Sequence, residues 1–338
     1  MMREWDAVAQ SVLAGNLLTS EEALAGLQTP DRDLLDLLAA AYRVRYYYYQ
    51  NRVKLNYLVN AKSGYCPEDC HYCSQSRLST AEIPKYHLLE ASDIVARARH
   101  GIQLQAGTCC IVLSGRRPAA KELDVVAEAA RILKAEHPGV KICACLGLLS
   151  EAEARQLKAA GVDRYNHNLN TAPDRYDEIC STHTYEDRVH TVGSVQSAGI
   201  SPCSGVIIGM GETPDDIVRM IDELRRLNVD SVPVNFLLPI PGTPLAERPL
   251  SMTPTWVLKV LSVFRLGLPD KEIRISAGRE VHLRSLQPMA LYAANALFVS
   301  DYLTEPGQDA ALDWAMIEDL GFEIEPLGTP MGPVPARA

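Results

Sequence analysis

The sequence predicts an α/β chain folded as a (β/α)8 TIM-type barrel, with an N-terminal helical extension and a short flexible C-terminal tail. Three observations carry this reading. About eight apolar segments of strand character recur between residues 54 and 300. Most are followed by a stretch with helical spacing, and alternating β and α units build a parallel sheet. The repeat fills roughly 250 residues, the length of a closed eight-unit barrel, and an open doubly wound sheet is the runner-up. The expected organisation is a helical extension over 1–50, the barrel over 51–325 and a flexible, Pro- and Gly-rich tail over 326–338.

Each element has a local reason. Thr19 and Ser20 ahead of Glu21 and Glu22 form an N-cap with an acidic first turn. Residues 31–44 place Leu34, Leu35, Leu37, Leu38 and Ala41 at helical spacing. The run Tyr46–Tyr49 is expected to pack at a barrel wall or a subunit contact, because aromatic clusters mostly bury area. Strands are expected over 54–62, 108–114, 140–146, 162–168, 200–208, 231–237, 272–277 and 296–300, with helices over 92–105, 119–136 and 184–198 between them. Ser150-Glu151-Ala152-Glu153 is a capping box opening another helix. Thr213-Pro214-Asp215-Asp216 supplies an N-cap, a proline at the first helical position and acids in the first turn.

The 338-residue chain carries 33 Lys and Arg against 42 Asp and Glu, a net charge of −9. That balance argues against nucleic acid as a partner, because phosphate contacts need clustered cations. No run of 18 apolar residues exists, so no membrane span is expected. The first residues carry early acids and no apolar core, so no signal peptide is expected and the expected location is the cytoplasm.

Nine cysteines lie between positions 66 and 203. In such a chain they read as metal-binding or catalytic rather than as disulfides. Cys66, Cys70 and Cys73 have the spacing C-x3-C-x2-C on one loop after the first strand. Three thiolates there can take three corners of a cubane and leave one iron open. A structural zinc site needs four protein ligands, and neither a second cysteine pair nor a well-placed histidine supplies the fourth. The loop also sits at the C-terminal mouth, where barrels of this kind keep their active sites.

This loop resembles the radical S-adenosylmethionine superfamily. The resemblance implies a 4Fe–4S cluster on Cys66, Cys70 and Cys73, with S-adenosylmethionine on the open iron and cleaved to a 5′-deoxyadenosyl radical. It places Tyr72 against the adenine. The run Gly205-Val-Ile207-Ile-Gly209-Met-Gly-Glu212 matches a second superfamily pattern and adds Gly209 and Glu212 to the cosubstrate site.

Cys109 and Cys110 lie in the second strand, Cys143 and Cys145 in the third, and Cys203 in the fifth. Side chains alternate across a strand, so Cys109 and Cys110 face opposite ways while Cys143 and Cys145 share a face. One cysteine from each strand can therefore meet inside the barrel. Arg274 lies in an apolar seventh strand, where an unpaired charge is costly.

With these residues the chain resembles the biotin synthase family from about residue 10 to residue 325. The resemblance runs through Asn60-Ala61-Lys62-Ser63-Gly64, Tyr165–Thr171, Pro202–Gly205, Pro233–Phe236 and Arg274–Glu280. It implies a radical sulfur insertion that converts dethiobiotin to biotin, the last step of biotin biosynthesis. Hydrogens would leave C9 and C6 in turn. The sulfur would come from an auxiliary 2Fe–2S cluster held by Cys110, Cys143, Cys203 and Arg274. Cys145, on the same face as Cys143, leaves room for a larger cluster. The resemblance also implies an electron donor such as flavodoxin or ferredoxin, and a homodimer. It assigns Asn166, Asn168, Asn235 and Thr304 to dethiobiotin, and Asn168, Asn170 and Arg188 to S-adenosylmethionine. Asn166, Asn168 and Asn170 alternate, so they are expected on one strand face. Amides suit a ureido ring because they donate and accept without a charge to desolvate. Glu305 departs from the family pattern and is expected to make only a backbone contact. His167, His183 and His190 receive no role. The rival reading is a radical enzyme without sulfur insertion, like the hydrogenase maturases or methylornithine synthase.

Overall fold

The structure is a computed structural model that describes residues 4–248 and 252–333. Eight parallel strand positions close into a barrel. They are β1 (Arg52–Lys62), β2 (Thr108–Leu113), β3 (Lys141–Cys145), β4 (Arg164–Asn166), the paired short strands β5 (Ser201–Cys203) and β6 (Val206–Ile208), β7 (Ser231–Phe236), β8 (Glu272–Ile275) and β9 (Ala296–Phe298). Pairing of β1 with β9, Lys54 opposite Ala296, completes the ring. A two-residue strand, β10 (Glu323–Ile324), adds to the lower end of β1 outside the ring.

Three helices precede the barrel: α1 (Glu4–Leu13), α2 (Ser20–Leu27) and α3 (Leu34–Tyr49). The Thr19 capping box forms, with the Thr19 side chain on the Glu22 amide. The tyrosine run ends α3. Tyr49 is buried and donates to Asp270 O at 2.6 Å, while Tyr46 and Tyr47 are exposed. Helices α4 (Ala91–Gln103), α5 (Ala120–Glu136), α6 (Glu151–Ala159), α7 (Tyr185–Ser197) and α8 (Pro214–Arg226) follow their strands as the sequence indicates. The capping boxes at Ser150 and Thr213 both form. The sequence pattern does not announce α9 (Pro254–Gly267). Residues 257–267 are all buried, Lys259, Ser262 and Arg265 included, so it has no solvent-exposed face along that stretch. It packs against α2 and α3, which makes the N-terminal extension part of the barrel's outer layer.

Strand alternation sorts the core as expected. Cys109, Ile111 and Leu113 face outward into a layer with α4 and α5. Cys110 and Val112 face inward with Cys143 and Phe298.

The fifth strand departs from the sequence expectation, because it is broken at Ser204-Gly205. A Cβ on Gly205 would stand 1.9 Å from Pro233 O, so the two chains approach only where the side chain is absent. The fourth strand is likewise shorter than expected and ends at Asn166. Asn170 adopts a left-handed φ of 71° and bridges to Val206, which carries the sheet past the break.

At the chain's end, the Thr329 amide closes a turn on Pro326 O at 3.2 Å, and Gly328 lies against Gly139. Residues 334–338 of the expected tail lie outside the described residues.

Candidate active site

The C-terminal mouth of the barrel opens into a cavity of about 390 Å³. The loop between β1 and α4 brings Cys66, Cys70 and Cys73 to its wall, all as free thiols. Burial raises the Cys66 thiol pKa and pushes Cys73 to about 11. Cys70 is raised first by its hydrogen bond to Cys180 and then by burial. A cationic metal reverses this preference by ligating the thiolate, so the three thiols fit an iron–sulfur group as ligands.

The loop is held by the segment at 179–183, over a hundred residues away. His71 N donates to Ile179 O at 2.9 Å. The Asp69 carboxylate accepts from Ser181 N at 2.9 Å, Thr182 N at 3.2 Å and Thr182 Oγ1 at 3.0 Å. Burial opposes its charge, but the Ser181, Cys180 and Thr182 bonds hold its pKa well below the usual range. Glu68 binds His183 Nδ1 in a short contact and accepts from Thr182 Oγ1 at 2.8 Å. Cys180 and His183 carry no signal in the sequence, because their partners are distant in the chain.

Tyr72 also borders the cavity, and its hydroxyl accepts from Asn170 Nδ2 at 2.6 Å. Asn166, Asn168 and Asn170 all reach the wall, although only Asn166 lies within β4. This corrects the single-strand-face expectation: the left-handed turn at Asn170, rather than strand alternation, aims the third amide inward. Asn166 Nδ2 donates to Asn168 Oδ1 at 3.1 Å. Arg188 is buried, donating Nη1 to Asn168 O at 2.7 Å and Nε to Tyr176 in a short contact. Asn235 donates to Val206 O at 3.0 Å and accepts from Ala277 N at 3.3 Å. One amide hydrogen and one lone pair remain for a ligand. Thr304 shares a 2.8 Å hydrogen bond with Ser74, and Glu305 also borders the cavity.

Gly209 and Glu212 do not reach the cavity. The Glu212 carboxylate accepts from Gly209 N at 2.6 Å and Met210 N at 2.9 Å. The pair shapes the turn after β6, whose Ile207 does line the wall.

Deeper in, Cys110 and Arg274 form the cavity's floor, with Cys143 and Cys203 buried directly behind them. Cys110 and Cys143 stand opposite each other on β2 and β3; the interaction between their thiols lowers the Cys110 pKa and raises that of Cys143. Asn166 Nδ2 donates to Cys203 Sγ at 3.1 Å. Arg274 is fully buried, and its Nη2 donates to Glu272 at 2.8 Å and Ser231 Oγ at 3.0 Å. Its Nε and Nη1 have no partner among the described residues. Orphaned donors beside three thiols fit an anionic group placed between them. Burial opposes the Arg274 charge, and the Cys203 and Glu272 charges overcome it to raise its pKa. Cys145 lines the wall above, with burial pushing its thiol to about 12. Cys109 faces away, its Sγ 3.6 Å from Ala98 O.

Comparison with known proteins decides between the rival readings. The radical SAM superfamily matches residues 61–224, and the Biotin and Thiamin Synthesis associated domain matches residues 233–323. Biotin synthase of Geobacillus kaustophilus is 55% identical over 324 residues, covering 96% of this chain and 97% of that one. Biotin synthase of Anoxybacillus flavithermus is 54% identical over 322 residues, covering 95% and 97%. The chain belongs to the biotin synthase family. The family brings a radical mechanism with a 4Fe–4S cluster and S-adenosylmethionine, acting on dethiobiotin. Among solved structures, methylornithine synthase superposes with a TM-score of 0.80 at 21% identity, covering 94% of this chain and 97% of that one. The hydrogenase maturase of Carboxydothermus hydrogenoformans gives 0.78 at 19%, covering 94% and 78%. These two share the fold alone. No helix among the described residues is long and apolar enough to cross a membrane.

Proposed function

We propose that one cavity holds both halves of the sulfur insertion, with radical generation at its mouth and the sulfur source at its floor. The observation that carries this reading is two thiol sets at different depths of one site, Cys66, Cys70 and Cys73 above, and Cys110, Cys143 and Cys203 with Arg274 below. When bound, a 4Fe–4S cluster on the upper set supplies the electron that splits S-adenosylmethionine, and an auxiliary 2Fe–2S cluster on the lower set supplies sulfur.

The remaining work belongs to the chain. Tyr72, Asn168, Asn170 and Arg188 orient the cosubstrate, with Gly209 and Glu212 fixing the turn behind it. Asn166, Asn168, Asn235 and Thr304 hold dethiobiotin so that its reacting carbons lie between the two thiol sets. Arg274 presents Nε and Nη1 to the lower group while Glu272 and Ser231 fix its Nη2. Seating that group replaces the thiol–thiol interaction between Cys110 and Cys143. The largely apolar wall limits the water around reactive carbon centres. An electron donor such as flavodoxin or ferredoxin, a homodimeric state and a cytoplasmic location complete the reading, with organisation as an extension over 1–50, a barrel over 51–325 and a tail over 326–338.

The test is anaerobic reconstitution with iron and sulfide counts and Mössbauer spectra. Two clusters per chain are expected in the parent. In Cys70→Ala two loop thiols remain, and formation of 5′-deoxyadenosine should be lost. Parent-rate cleavage in that variant would overturn the upper assignment.

A further inference from the structure

We propose that Cys70 and Cys180 are a redox pair that closes to a reversible disulfide when the loop carries no cluster. Local pairing sets the two residues face to face. The Asp69 carboxylate accepts from Ser181 N at 2.9 Å, and His71 N donates to Ile179 O at 2.9 Å. These bonds tie position 69 to 181 and position 71 to 179 in antiparallel order, so Cys70 stands opposite Cys180. Opposed residues on antiparallel chains bring their Cβ atoms to about 4.5–5.5 Å. A disulfide spans a Cβ separation of about 3.5–4.5 Å, so the two chains need approach only slightly.

The sulfurs are already neighbours. Both thiols are free, and Cys70 donates to Cys180 Sγ at 3.8 Å. A disulfide needs about 2.05 Å, so closure takes a movement of roughly 1.75 Å shared between two side chains. Cys180 in turn donates to Asp69 Oδ1 at 3.3 Å, which holds its sulfur toward the loop. Cys70 borders the cavity and Cys180 is buried behind it, so the cavity gives a small oxidant its route to the pair.

The chemistry balances with a peroxide as oxidant. The peroxide oxidises one of the two sulfurs to a sulfenic acid, and its second oxygen leaves as water. The other sulfur attacks the sulfenic acid and the S–S bond forms. The displaced hydroxide leaves as water with the second thiol's proton. Two thiols lose two electrons, and the peroxide O–O bond takes them. A small dithiol reverses the reaction by thiol–disulfide exchange. Capture within the pair stops either sulfur from going on to the irreversible sulfinic acid.

Cys70 cannot hold iron while bonded to Cys180. The disulfide therefore keeps the loop closed to cluster assembly until a dithiol reopens it, a consequence that rests on Cys70 being a cluster ligand; the disulfide itself does not.

The experiment treats full-length, cluster-free protein with one equivalent of hydrogen peroxide, alkylates the remaining thiols and maps the peptides by mass spectrometry. The parent should lose two free thiols per chain and yield a cross-link between the peptides carrying Cys70 and Cys180, both reversed by dithiothreitol. The double variant C66S/C73S should give the same cross-link, which fixes Cys70 as the loop partner. Cys180→Ser should give none, with circular dichroism confirming that each variant is folded. After equal peroxide and then dithiothreitol, Cys180→Ser should also rebuild less upper cluster than the parent, because its oxidised Cys70 goes on to forms that dithiols do not reduce. Absence of the cross-link in folded C66S/C73S, or oxidation that joins only Cys66 to Cys73 or Cys110 to Cys143 in the parent, overturns the proposal. If cross-linked parent builds a full upper cluster without dithiothreitol, the disulfide stands and the assignment of Cys70 to the cluster falls.

Discussion

Cys143 makes the division of labour testable at a single side chain. It is fully buried and stands opposite Cys110 across β2 and β3. Cys143→Ala should therefore keep the upper cluster and uncoupled formation of 5′-deoxyadenosine while forming no biotin. Product analysis of both compounds checks this, and unchanged biotin formation would move the role to Cys145. Asn235 has a double task. Its amide joins Val206 O to Ala277 N, and its remaining donor and acceptor face the cavity. Leaving buried partners unsatisfied costs about 1–3 kcal/mol. Asn235→Ala should lower the melting temperature of the ligand-free protein and weaken dethiobiotin binding by roughly 5- to 150-fold. Binding of S-adenosylmethionine alone should change little. At this scale the sequence was informative where strand alternation applied. It set Cys110 and Cys143 inside and Cys109 outside, as the structure does. It was silent on Cys180 and His183. Their partners Cys70 and Glu68 stand 110 and 115 positions away, so no local pattern marks them.

The elements show the same boundary between local and long-range information. The N-caps at Thr19 and Thr213 and the capping box at Ser150 were legible because they are written within four residues, and all three form as capping boxes. The break between β5 and β6 was not, since it depends on Gly205 meeting Pro233 from another strand. The cysteine loop is an irregular element whose shape comes from Asp69 and its partners in the 180–182 segment. Asp69 has a folded pKa below its unfolded value. Its stabilisation is therefore present above the unfolded value and lost as pH falls toward the folded one. Relative to Asp69→Asn, the cluster-free parent should hold a constant advantage at neutral pH. That advantage should shrink by roughly 1.4 kcal/mol per pH unit below about pH 3.9. Denaturant unfolding of both proteins from pH 7 to pH 3 measures it. A difference independent of pH would mean that the Asp69 charge does not hold the loop.

Across the whole molecule, the barrel is closed twice, by backbone pairing of β1 with β9 and by a charged layer beneath the cavity. Glu272 is the hub of that layer. It accepts from Lys54 Nζ of β1 at 3.0 Å, Arg164 Nη1 of β4 at 2.9 Å, Ser231 Oγ of β7 at 2.9 Å and Arg274 Nη2 of β8 at 2.8 Å. Burial opposes its charge, but Arg164, Lys54 and Arg274 hold its pKa well below normal. One carboxylate thus ties four strands together and orients the arginine that faces the lower thiols. Removing one member of a buried ionic group leaves the others uncompensated, at a cost of about 3–5 kcal/mol. Glu272→Gln keeps the shape and removes the charge. The cluster-free variant should be less stable by that amount and so unfold at a lower denaturant concentration. After reconstitution it should keep the loop cluster and lose the lower one, because Arg274 is no longer fixed by its main partner. Iron counts and Mössbauer spectra, read beside the unfolding curves, separate the two effects. A variant that is destabilised yet holds both clusters would make Glu272 a strut of the barrel with no part in positioning Arg274. Loss of both clusters together would show that the floor and the loop form one cooperative unit.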